Sequence, residues 1–331
     1  MNKSNTFEQL LMGKRPERTL FRPILMHFAA RYSGHTYGEF ASDYKTLVKC
    51  NLKALDDFDI DMVGLISDPY RETSAFGAPV EFVAEGVPRC RAVIVKNEED
   101  VKNLKNPDVY KSARTLDRIK GAKLFQKELK GEVPVIGWIE GPLAEAANLA
   151  GVGEILTLLM MNPDMCNLLM DKCMITAKDF AKAQVENGCR VIGIGDAVCS
   201  QLDPSLYDIF VKERHKELIS YIHSLGATVK LHICGNITHL LPFLASVNTD
   251  ILDIDWQVDP LEAKKIMGAK VILCGNINPV TIQDSTVDEI LTISKNLIKR
   301  MKNTRFILSG GCEITVNTPA ENLKAMREAA G

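Results

Sequence analysis

The stretch Lys230-Leu-His-Ile-Cys-Gly-Asn236 ends an apolar run, and it contains two residue types that bind metal ions. Alternate side chains of an extended strand leave the same face. The run therefore predicts a strand at residues 227–233, with His232 and Cys234 pointing in one direction.

A second apolar run, at residues 306–308, leads through two glycines to Cys312. Cys312, like Cys234, is therefore a soft metal ligand that follows a predicted strand. One imidazole and two thiolates are a ligand set typical of zinc, with one coordination position left open. The simpler interpretation is that His232, Cys234 and Cys312 lie apart and that the two cysteines fill the core, where cysteine is common.

Similar apolar runs recur along the whole chain, separated by helical patterns. They predict eight strands, at residues 23–28, 62–66, 133–139, 191–195, 227–233, 251–254, 271–273 and 306–308. Alternating strands and helices without a dinucleotide glycine fingerprint favour an α/β fold of the (β/α)8 TIM-barrel type over a doubly wound sheet. We expect residues 1–331 to form a single barrel domain, with a short helix at residues 4–12 and an inserted ribbon or lid near residues 80–95.

Polar residues follow most of the predicted strands, where the active site of a TIM barrel lies. Carboxylates there can orient a ligating imidazole or bind substrate, and they equally often form turns and helix caps. Either Cys274 or Glu140 could add a fourth metal ligand, and a fully closed site would be structural. The helix or surface residues His35, His215, His223 and His239 receive no role. The candidates at strand ends, besides the three soft ligands, are His27, Asp68, Glu140, Asp196, Asp255 and Cys274.

The composition of the 331 residues argues against large charged partners. Forty basic and 42 acidic side chains give a net charge of −2 without a basic tract, which disfavours nucleic acid and anionic membranes. No apolar run is long enough to span a bilayer, and the polar start predicts a cytoplasmic protein. Nine scattered cysteines are typical of reduced thiols.

The sequence His-Ile-Cys-Gly-Asn at 232–236, with the distant Gly-Cys at 311–312, resembles the zinc motif of the methylcobamide:coenzyme M methyltransferases. These enzymes form a branch of the uroporphyrinogen decarboxylase superfamily. The resemblance implies the same TIM barrel, Zn²⁺ bound by His232, Cys234 and Cys312, and a corrinoid (cobalamin) cofactor. Since the sequence contains no Asp-x-His-x-x-Gly motif, we expect the corrinoid on a separate protein partner.

Residues 26–31, Met-His-Phe-Ala-Ala-Arg, resemble the decarboxylase segment Met-Arg-Gln-Ala-Gly-Arg. His27 replaces an arginine there, and an imidazole binds tetrapyrrole carboxylates less firmly than a guanidinium. The decarboxylases also have a histidine where this chain has Cys312. Both departures count against porphyrinogen decarboxylation.

The resulting expectation is a zinc-dependent methyltransferase that exchanges methyl between a small-molecule donor or acceptor and corrinoid cobalt. The favoured substrate is a methoxylated aromatic compound, which would be O-demethylated. The alternatives are a methylcorrinoid:thiol methyltransferase of the coenzyme M type and a uroporphyrinogen decarboxylase. The expected catalytic residues are His27, Asp68, Glu140 and Asp196; Asn236 and Asp255 are expected at the cofactor, and a homodimer is possible.

Overall fold

The computed structural model describes residues 2–331. Within them, eight parallel strands form one curled sheet in which the chain order is the spatial order. The backbone N–H of Asp61 donates to the carbonyl of Phe21 at 2.8 Å and links the two ends of the sheet. This arrangement confirms the predicted TIM barrel. The strands are β1 (Leu20–Phe21), β2 (Val63–Gly64), β3 (Val135–Glu140), β4 (Val191–Gly195), β5 (Thr228–His232), β6 (Ile251–Asp253), β7 (Ile272–Ile277) and β8 (Phe306–Gly310).

Helices cover the outside of the sheet and connect its strands. Short 3-10 turns (Ala197–Gln201, Thr238–Leu240), a π turn (Tyr207–Val211) and an antiparallel ribbon (Val80–Glu81 with Arg89–Cys90) complete the described elements. The helices are α1 (Lys3–Leu11), α2 (His27–Tyr32), α3 (Tyr37–Ser42), α4 (Tyr44–Phe58), α5 (Arg71–Ala75), α6 (Glu98–Asn103), α7 (Ala113–Leu129), α8 (Pro142–Ala150), α9 (Val152–Met161), α10 (Pro163–Glu186), α11 (Pro204–Leu206), α12 (Lys212–Ser224), α13 (Leu241–Leu244), α14 (Pro260–Met267), α15 (Pro279–Asp284), α16 (Val287–Arg300) and α17 (Ala320–Ala330).

The first predicted strand, at residues 23–28, is wrong. The strand is β1, three residues earlier, and His27 is instead the first residue of α2. Arg22 and Pro23 divide Leu20–Phe21 from a longer apolar segment at residues 24–26, and hydrophobicity alone favoured the longer segment. The π turn at Tyr207–Val211 separates α11 from α12.

Two apolar cores lie on the two sides of the sheet. The larger one packs the helices against the outer face of the barrel. The smaller one fills the interior, where the inward side chains of successive strands meet and where α1 contributes Phe7 and Leu10. Cys274 belongs to this interior core. Side chains that point inward beyond this layer, toward the carboxyl ends of the strands, are polar and form the barrel mouth.

No single helix among residues 2–331 has the length and apolarity needed to cross a membrane. The bent pair α8 and α9, at 109° to each other, passes that test only when the two helices are taken together.

Candidate metal centre

Three soft ligands meet at the carboxyl ends of β5 and β8. His232 is the last residue of β5, Cys234 follows two residues later, and Cys312 follows β8. The Cys234 and Cys312 sulfurs are 3.7 Å apart, and His232 Nε2 is 2.9 Å from the Cys234 sulfur. The structure thus brings together the three residues that the sequence singled out.

The donor set fits a zinc ion. Two thiolates at tetrahedral angles and usual zinc–sulfur lengths would have sulfurs about 3.8 Å apart, close to the separation between Cys234 and Cys312. Among residues 2–331, no fourth His, Cys, Asp or Glu belongs to this group of ligand atoms. Cys274 lies in the interior core and Glu140 is paired with Arg71, so neither joins it. Three protein ligands leave the open position that a catalytic metal requires.

A buried ion pair orients the imidazole. His232 Nδ1 is 2.9 Å from Oδ2 of Asp253, the residue that lies opposite His232 on the neighbouring strand β6. The second Asp253 oxygen accepts from the ammonium of buried Lys230. A carboxylate on the far nitrogen of a ligating histidine sets its tautomer and raises its basicity. The Nε2 atom is therefore directed at the two sulfurs.

The charges of the three ligands depend on one another. The pKa of Cys312 falls to about 4, because the Cys234 thiol donates a hydrogen bond to it and His232 lies beside it. The pKa of Cys234 rises far above its usual range for the same reason and through burial. Burial lowers the pKa of His232, but the hydrogen bonds with Asp253 and Cys312 outweigh burial and raise it to about 9. At neutral pH the metal-free cluster thus contains one thiolate, one thiol and an imidazolium.

The turn after Cys234 is shaped by Asp255. Its Oδ2 accepts from the backbone N–H of Gly235 at 3.1 Å and its Oδ1 from that of Gln257. Gly235 has φ +89°, which a residue with a side chain rarely adopts. Asn236 is exposed and its side chain accepts from the Thr238 N–H at 3.0 Å. Both Asp255 and Asn236, expected at the cofactor, lie at the mouth and stabilise this turn.

Glu313 is a site residue that the sequence did not indicate. It follows Cys312 directly and is half-buried, and its Oε1 accepts from the backbone N–H of His27 at 2.9 Å. Its other oxygen has no hydrogen-bond partner among residues 2–331. Burial raises the pKa of Glu313 to about 7, so the side chain exchanges a proton near neutral pH.

His27 faces the inserted ribbon instead of the metal ligands. Its Nε2 is 3.2 Å from Glu85 of the ribbon and its ring stacks on Tyr37 at 4.8 Å between centroids. The expected catalytic histidine therefore connects the barrel mouth to the segment predicted as an inserted ribbon or lid.

Asp68 lies at the mouth but is saturated with hydrogen bonds. Arg114 donates to both of its oxygens, at 3.1 and 2.6 Å, and Ser67 and the Tyr70 backbone donate one bond each. The carboxylate is buried, which raises its pKa, but Arg114 and Arg71 and the hydrogen bond from Ser67 hold the pKa well below the usual range. Asp68 has no free lone pair with which to assist a reacting oxygen.

Glu140 belongs to a buried acidic cluster at the opposite side of the mouth from the metal ligands. We use the term acidic cluster for Glu72, Glu140 and Glu145 with Arg71. Arg71 Nη2 donates to Glu140 at 2.8 Å, and Glu72 accepts from the Glu140 backbone. Burial raises the pKa of Glu140 to about 8 against the attraction of Arg71. Glu140 therefore carries a proton at neutral pH.

Asp196 caps a helix and supports the metal strand. Its side chain accepts from the backbone N–H of Ala144 at 2.7 Å, at the start of α8, and its own N–H donates to the His232 carbonyl at 3.0 Å. His215, which the sequence placed on a surface or helix without a role, is fully buried, and its Nε2 is 2.9 Å from Asp196. Tyr207 of the π turn contacts the other ring nitrogen at 2.9 Å. The surface position expected as one possibility is wrong, because His215 lies on the buried side of α12 together with Leu218 and Ile222.

Comparison with known proteins gives two kinds of relative. The methylcobamide:CoM methyltransferase MtaA of Methanosarcina barkeri is 29% identical over 212 residues, 63% of this chain and 61% of that protein. The MtbA enzyme of the same description from Methanosarcina mazei is 29% identical over 242 residues, 71% and 69% of the two chains. The uroporphyrinogen decarboxylase of Geobacter metallireducens is 25% identical and covers 98% and 97%. The chain thus spans less than two thirds of the length of MtaA.

A solved structure shows the same fold. A methyltransferase from Methanosarcina mazei superposes with a TM-score of 0.91 over 100% of this chain and 98% of its own, at 22% identity. The family profile of uroporphyrinogen decarboxylase (URO-D) matches residues 2–331. With the barrel and its site in place, this match over the whole described chain shows that the protein belongs to the uroporphyrinogen decarboxylase family.

Proposed function

We propose that this protein is a zinc-dependent methyltransferase that transfers a methyl group from a methoxylated aromatic compound to the cobalt of a corrinoid protein. The observation that carries the proposal is the cluster of His232, Cys234 and Cys312, with three ligands and an open side at the barrel mouth. The similarity to MtaA and MtbA supports the general kind of reaction.

Zinc bound by these three residues would supply Lewis acidity toward the substrate oxygen. The chain itself orients the imidazole through Asp253 and neutralises that carboxylate with Lys230. Asp196 and His215 support the end of β4 beside His232. These contacts fix the ligand directions before substrate binds, as a catalytic site requires.

Glu313 is the residue best placed to donate a proton to the leaving oxygen of the substrate. In O-demethylation the methyl–oxygen bond breaks, cobalt(I) of the partner takes the methyl group as a cation, and the electron pair stays on oxygen. A carboxylic acid adjacent to Cys312 can donate its proton to that oxygen from the unpartnered Oε2. Transfer of methyl to a thiolate requires no such acid, so Glu313 favours the methoxy substrate.

The aromatic part of the substrate would meet Trp256. This side chain is 50% exposed and follows Asp255 at the mouth. Its backbone passes so close to Gly311 that any side chain at position 311 would collide with it. The backbone of Trp256 therefore lies next to the segment that carries Cys312, and its half-exposed indole is available to stack on an aromatic ring.

The coenzyme M type of reaction is the second candidate, because MtaA and MtbA are described as methylcobamide:CoM methyltransferases. The two directions differ in their substrates and in the oxidation state of cobalt. Decarboxylation is disfavoured by His27, which contacts Glu85 instead of presenting a guanidinium at the mouth.

The test is a pair of spectral titrations with the zinc-loaded protein. In one, cob(I)alamin is mixed with methoxybenzenoids; in the other, methylcobalamin is mixed with small thiols. We expect methylcobalamin to form in the first and Glu313→Gln to slow that reaction at least about tenfold. Demethylation only in the thiol assay would assign the coenzyme M type. Turnover of uroporphyrinogen that persists after zinc removal would overturn the proposal.

A further inference from the structure

A basic cavity lies at the opposite end of the barrel from the metal ligands. It is bordered by the loop before β1, the end of α16 and the turn before β8, and it encloses about 750 Å³. We call it the basal cavity. It is separated from the mouth by the interior core, so it takes no part in the chemistry proposed above.

Seven basic side chains and one carboxylate line the basal cavity, although the whole chain has a net charge of −2. A cavity lined by one sign of charge concentrates counter-ions, because the surrounding protein focuses the field. The lining charges are Lys14, Arg15, Arg18, Lys295, Lys299, Lys302 and Arg305, with Glu17 as the carboxylate.

Most of these cations are not neutralised within the protein. Arg18 pairs with Asp61, at 2.7 Å between its Nη1 and Oδ2. The two lysines of α16, Lys295 and Lys299, form no ion pair or side-chain hydrogen bond with residues 2–331, and the same holds for Lys14, Arg15 and Lys302. These five side chains are exposed and unpaired among the described residues, so the concave site attracts anions from solution.

The cavity also contains fixed donors. Arg305 Nη1 donates to the carbonyls of Leu11 and Lys270, at 3.1 and 3.3 Å, which fixes the guanidinium plane while Nη2 stays free of protein partners. Gly13 has φ +76°, and a side chain there would collide with this guanidinium. The hydroxyl of Thr304 is buried without a hydrogen-bond partner among residues 2–331. A preset guanidinium and an unused hydroxyl are donors that suit phosphate oxygens.

From these observations we propose that the basal cavity binds an oligophosphate anion. The free cations come from two separate parts of the chain, the loop before β1 and the region from the end of α16 to Lys302. An anion with several charged groups, such as a chain of two or three phosphates, suits such a distribution of charge. The volume lies within the range of small-molecule sites, and apolar wall residues Leu10, Ile298 and Phe306 leave room for an organic group.

The experiment uses the full-length protein and calorimetric titration with inorganic tripolyphosphate and with ATP at low salt. We expect saturable binding of one anion per chain that weakens as salt rises. Equal affinity for both probes would identify the phosphate chain as the recognised part. Tighter binding of ATP would identify an organic oligophosphate, and either result supports the site.

The matched variants reverse two lysine charges on different helices. Lys295→Glu with Lys299→Glu changes α16 at the cavity, and Lys123→Glu with Lys127→Glu changes the same spacing on exposed α7. The α16 variant should weaken tripolyphosphate binding at least about tenfold and the α7 variant less than about twofold. Zinc content and methyl transfer should stay unchanged in both. Equal weakening by the two variants, or no saturable binding by the natural protein, would overturn the proposal.

Discussion

The two sides of the barrel mouth are both buried and charged, but they are built differently. On the metal side, His232, Asp253 and Lys230 form an unbroken chain of contacts that ends at the two sulfurs. On the other side, the acidic cluster leaves Arg71 Nη1, Glu72 Oε2 and Glu145 Oε1 buried without hydrogen-bond partners among the described residues.

This difference indicates different roles for the two sides. The metal side directs its three ligands toward one point near solvent, so we expect these ligands to serve binding more than folding. The acidic cluster places three buried carboxyl groups around the guanidinium of Arg71, and buried charged and polar groups are costly when their partner is lost. We therefore expect changes on the metal side to remove function and changes in the acidic cluster to remove stability.

The largest effect should come from the thiolate ligands. Cys234→Ala or Cys312→Ala removes one of three protein donors, so we expect zinc to fall to background and methyl transfer to be lost. The variants should remain folded, with a cooperative unfolding transition in urea. Elemental analysis measures the zinc content, and urea unfolding checks the fold. Cys274→Ala is the matched control and should retain zinc; full zinc in both ligand variants would refute the assignment.

The next effect, on stability, should come from Arg71. Arg71→Met leaves the Glu140 and Glu72 carboxyl groups without their cation, and we expect a loss of about 3–5 kcal/mol in the free energy of unfolding. The exposed pair Arg190–Glu8 provides the control, since Arg190→Met should cost less than about 1 kcal/mol. Urea denaturation of the two variants compares them. Similar losses would show that the acidic cluster is not a stability element.

A third prediction concerns protons released by zinc. At pH 7 the pKa values near 4 for Cys312 and 9 for His232 leave the thiolate formed and the imidazole charged, and Cys234 keeps its proton. Zinc must therefore displace about two protons, and its affinity should rise about 100-fold per pH unit around neutrality. Titration in weak buffer with a pH indicator counts them. Release of one proton or of three would contradict the charge state of the metal-free cluster.

The smallest effect should be the pH dependence caused by Glu140. Its pKa is raised to about 8 in the folded protein, above the ordinary glutamate value, so its contribution to stability is complete below the ordinary pKa and is lost as pH rises through about 8. Glu140→Gln removes the titrating group. Between pH 6 and pH 9, the free energy of unfolding of this variant should therefore fall by at least about 1 kcal/mol less than that of the natural protein. Glu128→Gln, on exposed α7, should leave the decline unchanged.

Much of the fold could be predicted from local pattern. Short apolar runs alternating with helical segments identified the barrel, and the strands predicted at residues 133–139, 191–195 and 227–233 overlap β3, β4 and β5. The start of β1 could not be located in this way, because only two apolar residues pair with β8 before Arg22 and Pro23, and a longer apolar segment follows. The candidate site was predicted in part, from residue types at strand ends.

Charged residues within apolar strands are a further signal in the sequence. Lys230 and Asp253 are charged residues within short apolar strands, and each is buried in the structure. A charge inside a buried strand needs a partner of opposite sign, and adjacent strands in a barrel offer one. The pair that orients His232 could therefore have been inferred.

The sequence by itself determined the barrel and the ligand types, because apolar periodicity and residue chemistry are local properties of the chain. Only the tertiary structure decided which polar groups meet. His215 lies between charged residues in the sequence of α12, yet it is buried and contacts Asp196, and Glu313 gains its environment from the backbone of His27, 286 positions away. Such contacts depend on how elements that are distant in the sequence pack together. Burial and hydrogen bonding set the pKa of each group, and both arise only from this packing.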